Sequence, residues 1–466
     1  HPGIMDVYRD VLLPASNAML RATYDGIPLD IDRLDWLREY IKNKLDPIEV
    51  AIRQHLKELS PDFFYRRFNP RSVRDVACVL YDIVGIPDDQ PVVSRQGKLI
   101  PPGKRSTADP VLETYQDIHP VIPLIRAYRA HDQTRKNYSD GFEKRLSHGN
   151  KLYSSATIIG SRTGRITFRD PAVTTIPRVG PVKTLFVPEG SEYFIGTADY
   201  GQLEVRVAAE LSGDRALIQA CGVDIHQAIS EQIFADYYEE ARQFHRAGDR
   251  EALISMAKSV RILRDVAFKL DNEPEFDLDS IYAMTLRMLR HYSKYVTFGI
   301  LYLRQAESLA RGELQCTPQE AQLYINQFLT RFSTFAAWRK RLTSRALRVG
   351  YVSTPTGRRR AFPFIWTNRR KVERQAANTP IQSLAADMCT LAFIELTRTL
   401  HARNLGRTMF TVYDSIVFQG RKSNACEIVE LVTDTMENIR PGQVSYPIEL
   451  KIGSNLGNAV VVTSTD

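Results

Sequence analysis

The sequence predicts an α+β fold in which a sheet is interrupted by a large helical insertion. Two observations carry this. Strand-like runs stand far apart, at 193–198 (YFIGTA) and 408–418 (TMFTVYDSIVF), and the long stretch between them is mostly helical. The insertion is expected to form a subdomain of its own. Upstream, Leu34, Leu37, Ile41, Leu45, Ile48 and Ile52 recur at helical spacing and predict a helix over 30–60. Pro and Gly punctuate a loop-rich stretch at 86–108, which carries the basic pair Lys104 and Arg105, and a second helical region covers about 108–146.

Composition narrows the function class. Apolar residues make up 43% and charged residues 25%, an ordinary globular balance for a chain of 466 residues. No apolar run reaches the roughly 18 residues of a membrane span, and the start (HPGIMDVYRD) lacks the pattern of a secretory signal. The first residue is His1 rather than Met, which reads as a piece or a processed product. The five cysteines are scattered without a CxxC pair. That argues against a zinc site or a disulfide framework and suits a reducing compartment. The net charge of +8 permits a polyanionic partner without requiring one.

The residues that carry chemistry sit at the ends of the two strand-like runs. In YFIGTADYGQLEVR the apolar run ends at Asp199, and a helical pattern (Leu203, Val207, Leu211) follows until Gly213. In FTVYDSIVF, two β-rich runs flank Tyr413-Asp414-Ser415, which places Asp414 near a hairpin tip. If the strands are neighbours, both carboxylates face one spot and supply hard oxygen donors suited to Mg²⁺. Two such ions about 3.5–4 Å apart activate an attacking hydroxyl and steady a leaving group. Taken singly, each aspartate also reads as an ordinary turn residue. Arg290, Lys294, Phe298 and Tyr302 recur every fourth residue and share one helix face. Cations there suit phosphates and aromatics suit a base and sugar, while an amphipathic surface helix is the plain alternative. Basic clusters at Arg339-Lys340-Arg341, Arg358-Arg359-Arg360 and Arg369-Arg370-Lys371 each read as a solvated face. Interleaved with Phe362, Phe364 and Trp366, together they point to phosphate tracking.

In this order the pieces resemble family A DNA polymerases of the bacterial polymerase I type, over nearly the whole chain. The segment Asp199-Tyr200-Gly201-Gln202-Leu203-Glu204-Val205-Arg206 looks like motif A, the Arg290-to-Tyr302 stripe like motif B, and Tyr413-Asp414-Ser415 stands in the place of motif C. Thr163-Gly164-Arg165, Asp170-Pro171, Ile176-Pro177, Asp224-Ile225-His226 and the stretch Arg374, Asn378, Pro380, Gln382, Ala385-Ala386-Asp387 match further landmarks. So do Gly26-Ile27-Pro28-Leu29-Asp30 and Phe68-Asn69-Pro70.

The resemblance implies a right-hand fold with a palm built on an antiparallel sheet. The thumb with its lead-in would cover 1–150, the palm 151–205 and 345–466, and helical fingers 206–344 with an insertion at about 236–283. It implies a DNA-directed DNA polymerase extending a primer 3′ end with deoxynucleoside triphosphates, without proofreading in this chain. Asp199, Asp414 and the Tyr200 carbonyl would bind two Mg²⁺ ions, with Mn²⁺ as an alternative. Arg290, Lys294 and His226 would hold the triphosphate, with Lys294 as proton donor to the pyrophosphate. Phe298 and Tyr302 would pack at the base and sugar, and Glu204 would exclude a ribose 2′-OH. Arg165, Arg374, Asn378, Gln382 and Tyr413 would contact the primer-template duplex, whose minor groove shows similar acceptors at every pair. A monomer working on DNA inside the cell, away from membranes, is expected; a phage or organelle replicase and a bacterial repair enzyme both fit.

Departures from the family pattern are specific. Ser415 stands where a Glu is usual, Tyr413 where His is usual, Thr297 where Asn is usual and Leu303 where Gly is usual. The 64 residues from His226 to Arg290 are more than the family uses. The extra part includes five acids between Asp271 and Asp279, which would repel DNA, so a solvated loop or a protein contact is expected there. A single-subunit RNA polymerase of the same fold and a catalytically dead nucleic-acid binder are the competing readings. Glu204 stands against the first, and the retained Asp199, Asp414 and Lys294 stand against the second.

Overall fold

The computed structural model describes residues 2–61, 67–89, 91–93, 99–147, 149–177, 180–272, 275–363 and 365–462. Phe364, Glu273, Pro274, Gln90 and 94–98, which fall in stretches singled out above, lie outside these.

The fold is α+β, and its organising element is a five-stranded antiparallel sheet. Labelled in chain order, its strands are β1 (Tyr193–Tyr200), β2 (Gly406–Val412), β3 (Ser415–Arg421), β4 (Ile448–Gly453) and β5 (Val460–Val461). Their spatial order is β2-β3-β1-β4-β5, so the strand from the first half of the chain lies in the middle. Alternation along β1 sorts the two faces. Phe194, Ala198 and Tyr200 are buried, and the helices Arg369–Ala402 and Ala425–Glu437 pack against the sheet. Gly196 is required on this face: a Cβ there would stand 2.4 Å from the Phe418 ring of the paired strand. Thr197 and Asp199 occupy the opposite face, and Asp199 is exposed.

The helix expected over 30–60 runs Ile31–Leu59, capped by the Asp30 carboxylate on the Arg33 amide at 3.0 Å. Of its expected apolar stripe, Leu34, Leu37, Ile41, Leu45 and Ile52 are buried and Ile48 is half-buried. It packs against the helix Val121–Thr134.

The insertion corrects the expectation of a solvated loop. It folds into helices Ala235–Ala247, Arg250–Ser259 and Arg264–Asn272, which lie against the long helix Leu278–Leu301. Tyr238, Leu253, Met256, Ile262, Leu263 and Val266 are buried there. The apolar residues at helical spacing outweigh the acids, three of which have structural partners of their own. Asp277 caps the long helix on the Ser280 amide at 2.7 Å, Asp279 meets His245 at 2.7 Å, and Asp271 pairs with Lys258 at 2.6 Å. Acids at a helix N-terminus are stabilised by its dipole rather than left to solvent.

Candidate active site

The β3–β1 register brings the two aspartates together. Ser415 lies directly opposite Asp199, and the Tyr200 amide donates to the Asp414 carbonyl at 3.4 Å. In an extended residue the N–H and C=O point to the same side, so the Tyr200 carbonyl also faces the Asp414 turn. The Tyr200 side chain is buried on the other face, its hydroxyl donating to the Met436 carbonyl at 2.7 Å. Tyr413, at the hairpin tip, adopts a left-handed φ of 56° and is largely exposed. Ser415 and Thr197 join hydroxyls across the strands at 2.9 Å.

Arg165 ties this end of the sheet to the next layer. Its guanidinium donates to Glu204 at 2.7 Å, lies 3.7 Å from Asp414, and stacks 5.7 Å above the Tyr413 ring. Glu204 is buried on the helix Leu203–Ser212 and accepts a second hydrogen bond from the Tyr302 hydroxyl. Burial, and then this carboxylate, push the Tyr302 hydroxyl's pKa up, while a hydrogen bond with Gln382 opposes the shift. One cluster therefore holds Asp414, Glu204, Arg165, Tyr302, Gln382 and Tyr413, with Asp199 on the strand paired beside Ser415.

The motif-B stripe adjoins this cluster through Tyr302. Arg290, Lys294 and Phe298 lie on the helix Leu278–Leu301, and Tyr302 sits just past its end, its ring stacked 6.2 Å from Phe298. Leu303 takes a left-handed φ of 50°, which accounts for the usual glycine at this place. Asp224 caps the helix Ile225–Ile233 and also grips Arg290 at 2.7 and 3.0 Å. His226 is buried 6.2 Å from Phe298, and its Nδ1 has no hydrogen-bond partner among the described residues. Burial, then Lys294 and Arg290, lower its pKa to about 4, so the ring is neutral near pH 7.

Arg374, Asn378 and Gln382, four residues apart, share one face of the helix Arg369–Ala402; Arg374 is exposed and the other two half-buried. The Asn378 Oδ1 is buried without a partner among the described residues.

Two features were missed by sequence reasoning. Glu449 on β4 lies directly opposite Asp199 on its other side, which makes Ser415, Asp199 and Glu449 one row across three strands. Glu449 pairs with Lys451, two residues along the same face. The only sequence signal was the alternation in IELKIG, which does not say which strand lies alongside. The second feature is the fate of the basic triplet. Arg358 is drawn into a buried ion pair with Asp387 at 2.6 Å, while Arg359 stacks on the Tyr351 ring at 3.2 Å. A Cβ on Gly164 (φ 84°) would stand 2.5 Å from the Arg358 guanidinium carbon, so glycine is needed for this close approach. Arg339 likewise leaves the solvent face, donating to the Ile300 carbonyl at 2.9 Å with its pKa lowered by burial to about 10.

The donor set fits a hard divalent cation. Asp199, Asp414 and the Tyr200 carbonyl lie on neighbouring strands at one end of the sheet, and hard oxygen donors of this kind suit a cation whose shell phosphates could complete. No group of three or more His, Cys, Asp or Glu side chains suited to a metal gathers among the described residues.

Comparison with known proteins finds relatives along nearly the whole chain. The sequence profile of DNA polymerase family A matches residues 32–252 and 278–458, leaving out part of the helical insertion. The chain is 27% identical over 461 residues to the thermostable DNA polymerase I of Thermus aquaticus, covering 96% of this chain and 48% of that protein. With the DNA polymerase I of Bacillus subtilis it shares 26% over 461 residues, covering 96% and 45%. The chain thus spans about half the length of the curated relatives it matches. Among solved structures, the POL domain of Pol1 from M. smegmatis, in complex with DNA primer-template and dNTP, superposes with a TM-score of 0.74 at 23% identity, covering 96% of this chain and 70% of that one.

Proposed function

The chain belongs to DNA polymerase family A, and from that premise we propose that it extends a primer 3′ end on a DNA template with deoxynucleoside triphosphates by two-metal nucleotidyl transfer. One observation carries the reading. Asp199 and the residue after Asp414 are paired across neighbouring strands, and Tyr302, stacked on Phe298 at the end of the helix that carries Arg290 and Lys294, reaches Glu204 beside them.

Asp199, Asp414 and the Tyr200 carbonyl would hold two Mg²⁺ ions, with Mn²⁺ as a substitute. Bound there, the ions supply activation of the primer hydroxyl and charge neutralisation at the leaving pyrophosphate. The protein's own groups do the rest. Arg290, pre-aimed by Asp224, and Lys294 grip the triphosphate. Neutral His226 donates one hydrogen bond to a phosphate oxygen, and Lys294 gives a proton to the pyrophosphate. Phe298 and Tyr302 cover the base and sugar. Glu204, fixed from both sides by Arg165 and Tyr302, closes the space a 2′-OH would need. Arg374, Asn378, Gln382, Arg165 and Tyr413 face the duplex, and their contacts test pair shape rather than sequence.

In this reading residues 1–150 form the thumb, 151–205 and 345–466 the palm, and 206–344 the fingers with the insertion at 236–283. The unit acts as a monomer on DNA inside the cell, and no proofreading is assigned to it. Among the described residues no helix is long and apolar enough to cross a membrane.

The test is primer extension by the purified chain with and without Mg²⁺. Asp199→Ala and Asp414→Ala should each lose extension by at least about a hundredfold, since each carboxylate acts where charge develops. Primer-template affinity, supplied by Lys and Arg contacts to phosphates, should remain. Near-normal extension by either variant overturns the assignment.

A further inference from the structure

The basic triplet Arg339-Lys340-Arg341 is unused by the polymerase reading, yet its first member meets the helix that carries Arg290 and Lys294. The Arg339 guanidinium donates to the Ile300 carbonyl at 2.9 Å, two residues before Tyr302. The bond falls where that helix ends. There the Arg304 amide donates back to the Gly299 carbonyl at 2.8 Å and the Leu303 amide to the Ile300 carbonyl at 3.2 Å. This pair of bonds closes a helix on a left-handed residue, a place that glycine takes without strain. Leu303 takes it at a φ of 50° with a full side chain, which costs conformational energy. Packing leaves the turn unsupported on one side, where a cavity of about 300 Å³ opens against Ile300, Leu303, Arg304 and Arg339. Hydrogen bonds hold it there. The Arg304 guanidinium fastens the turn to Glu313 at 2.7 Å and to the Ser308 carbonyl at 3.1 Å, both in the next stretch of chain. Arg339 fastens it to a distant element, and its charge offsets the negative end of the helix dipole.

That element is fixed to the layer of Glu204. Arg339 lies on the helix Ser333–Val349, which packs against the helix Leu203–Ser212. The buried Asp214 carboxylate accepts from the Phe335 amide at 3.0 Å and from the Leu217 amide at 3.0 Å, so it joins the start of the first helix to the chain just past the second. One helical turn beyond Phe335 stands Arg339, 5.8 Å from the Phe335 ring centre. Contacts therefore run from the Glu204 helix through Asp214 and Phe335 to Arg339, and on to the turn that presents Tyr302. The Tyr302 hydroxyl closes the circuit by donating to Glu204. Two side chains supported from behind in this way keep their separation better than their own hydrogen bond alone would.

We propose that Arg339 is a positioning residue that sets Tyr302 against Glu204 and thereby determines how strictly the site selects the sugar of the incoming nucleotide. This rests on the sugar-gate reading of Glu204. Arg339 acts through the helix end rather than on the nucleotide.

The experiment compares Arg339→Met, which keeps an apolar stem and loses the donor, with Arg339→Lys, which keeps a donor and the charge. The half-buried position accepts either side chain. Two quantities are read: hydrogen exchange of the segment 299–305 in the chain alone, and the ratio of ribonucleotide to deoxynucleotide incorporation in single-turnover extension. In Arg339→Met the segment should exchange about threefold faster or more, and the ratio should rise by about threefold or more, the worth of one lost hydrogen bond. Primer-template affinity should stay within about twofold of the parent, since no phosphate contact is removed. Arg339→Lys should bring both quantities back to within about twofold of the parent, because one donor on one carbonyl suffices. In a Glu204→Ala background, Arg339→Met should add less than about twofold to the ratio, because both changes act through one contact. A ratio unmoved by Arg339→Met while Glu204→Ala raises it refutes the inference. So does an equal rise from Arg339→Met in both backgrounds, or an Arg339→Lys protein as permissive as Arg339→Met. A Glu204→Ala protein with the parent's ratio would instead sink the sugar-gate reading itself.

Discussion

Replacing Asp387 by alanine isolates what the buried ion pair beneath the 351–361 hairpin contributes. Asp387 is fully buried and accepts from Arg358 at 2.6 and 3.1 Å and from the Thr356 hydroxyl at 2.6 Å. The Arg358 side chain is only 17% exposed, so losing the carboxylate leaves a largely desolvated cation. Removing one partner of such a pair costs about 3–5 kcal/mol. Unfolding entropy of roughly 2.1 cal/mol/K per residue gives about 1 kcal/mol/K if the 466 residues unfold as one unit, hence a Tm lower by about 3–5 °C. Arg358→Met combined with Asp387→Leu removes both charges and should cost less than the two single changes added together. The assay is thermal unfolding by circular dichroism, with denaturant titration to obtain free energies. Function supplies a second readout. Arg358 packs on Gly164, one residue before the arginine that reaches Glu204 and Asp414. Extension rate should therefore fall more than primer-template affinity. An Asp387→Ala protein melting within about 1 °C of its parent would refute the reasoning, because a pair this buried cannot be removed without cost.

Three further outcomes are expected. Glu204→Ala opens the space beside Tyr302 and should raise the ratio of ribonucleotide to deoxynucleotide incorporation by about tenfold or more, read in single-turnover extension; an unchanged ratio rejects the sugar-gate role. His226 is held neutral in the fold, with a pKa of about 4 against about 6.5 unfolded, so the unfolded chain gains a proton first as pH falls. Stability is fully present above pH 6.5 and is lost between there and pH 4, by about 3 kcal/mol for this group; His226→Gln should flatten that limb in denaturant titrations, and an identical pH profile contradicts the assignment. Ser415→Ala removes one hydroxyl contact with Thr197 and no charge, so extension should change by less than about threefold, far under the loss in Asp414→Ala, since Mg²⁺ needs only one or two protein carboxylates. A collapse comparable to Asp414→Ala would give the hydroxyl a specific role.

Local pattern alone determined the parts of this protein whose cause is local. The apolar alternation ending at Asp199, the turn at Tyr413-Asp414 and the four-residue spacing of Arg290, Lys294 and Phe298 each follow from how a strand, a hairpin or a helix presents successive side chains. The helix Ile31–Leu59 was readable for the same reason. Other features were settled only by tertiary structure. Glu449 stands beside Asp199 because β4 pairs with β1 in one register out of many, across 250 residues of chain. Asp387 withdraws Arg358 from a triplet that looked uniformly solvated, and the acidic insertion folds because apolar faces on three helices meet a fourth. Periodicity states which residues share a face of their own element. What that face meets depends on long-range packing, in which burial and ion pairing outweigh the local preference of any single segment.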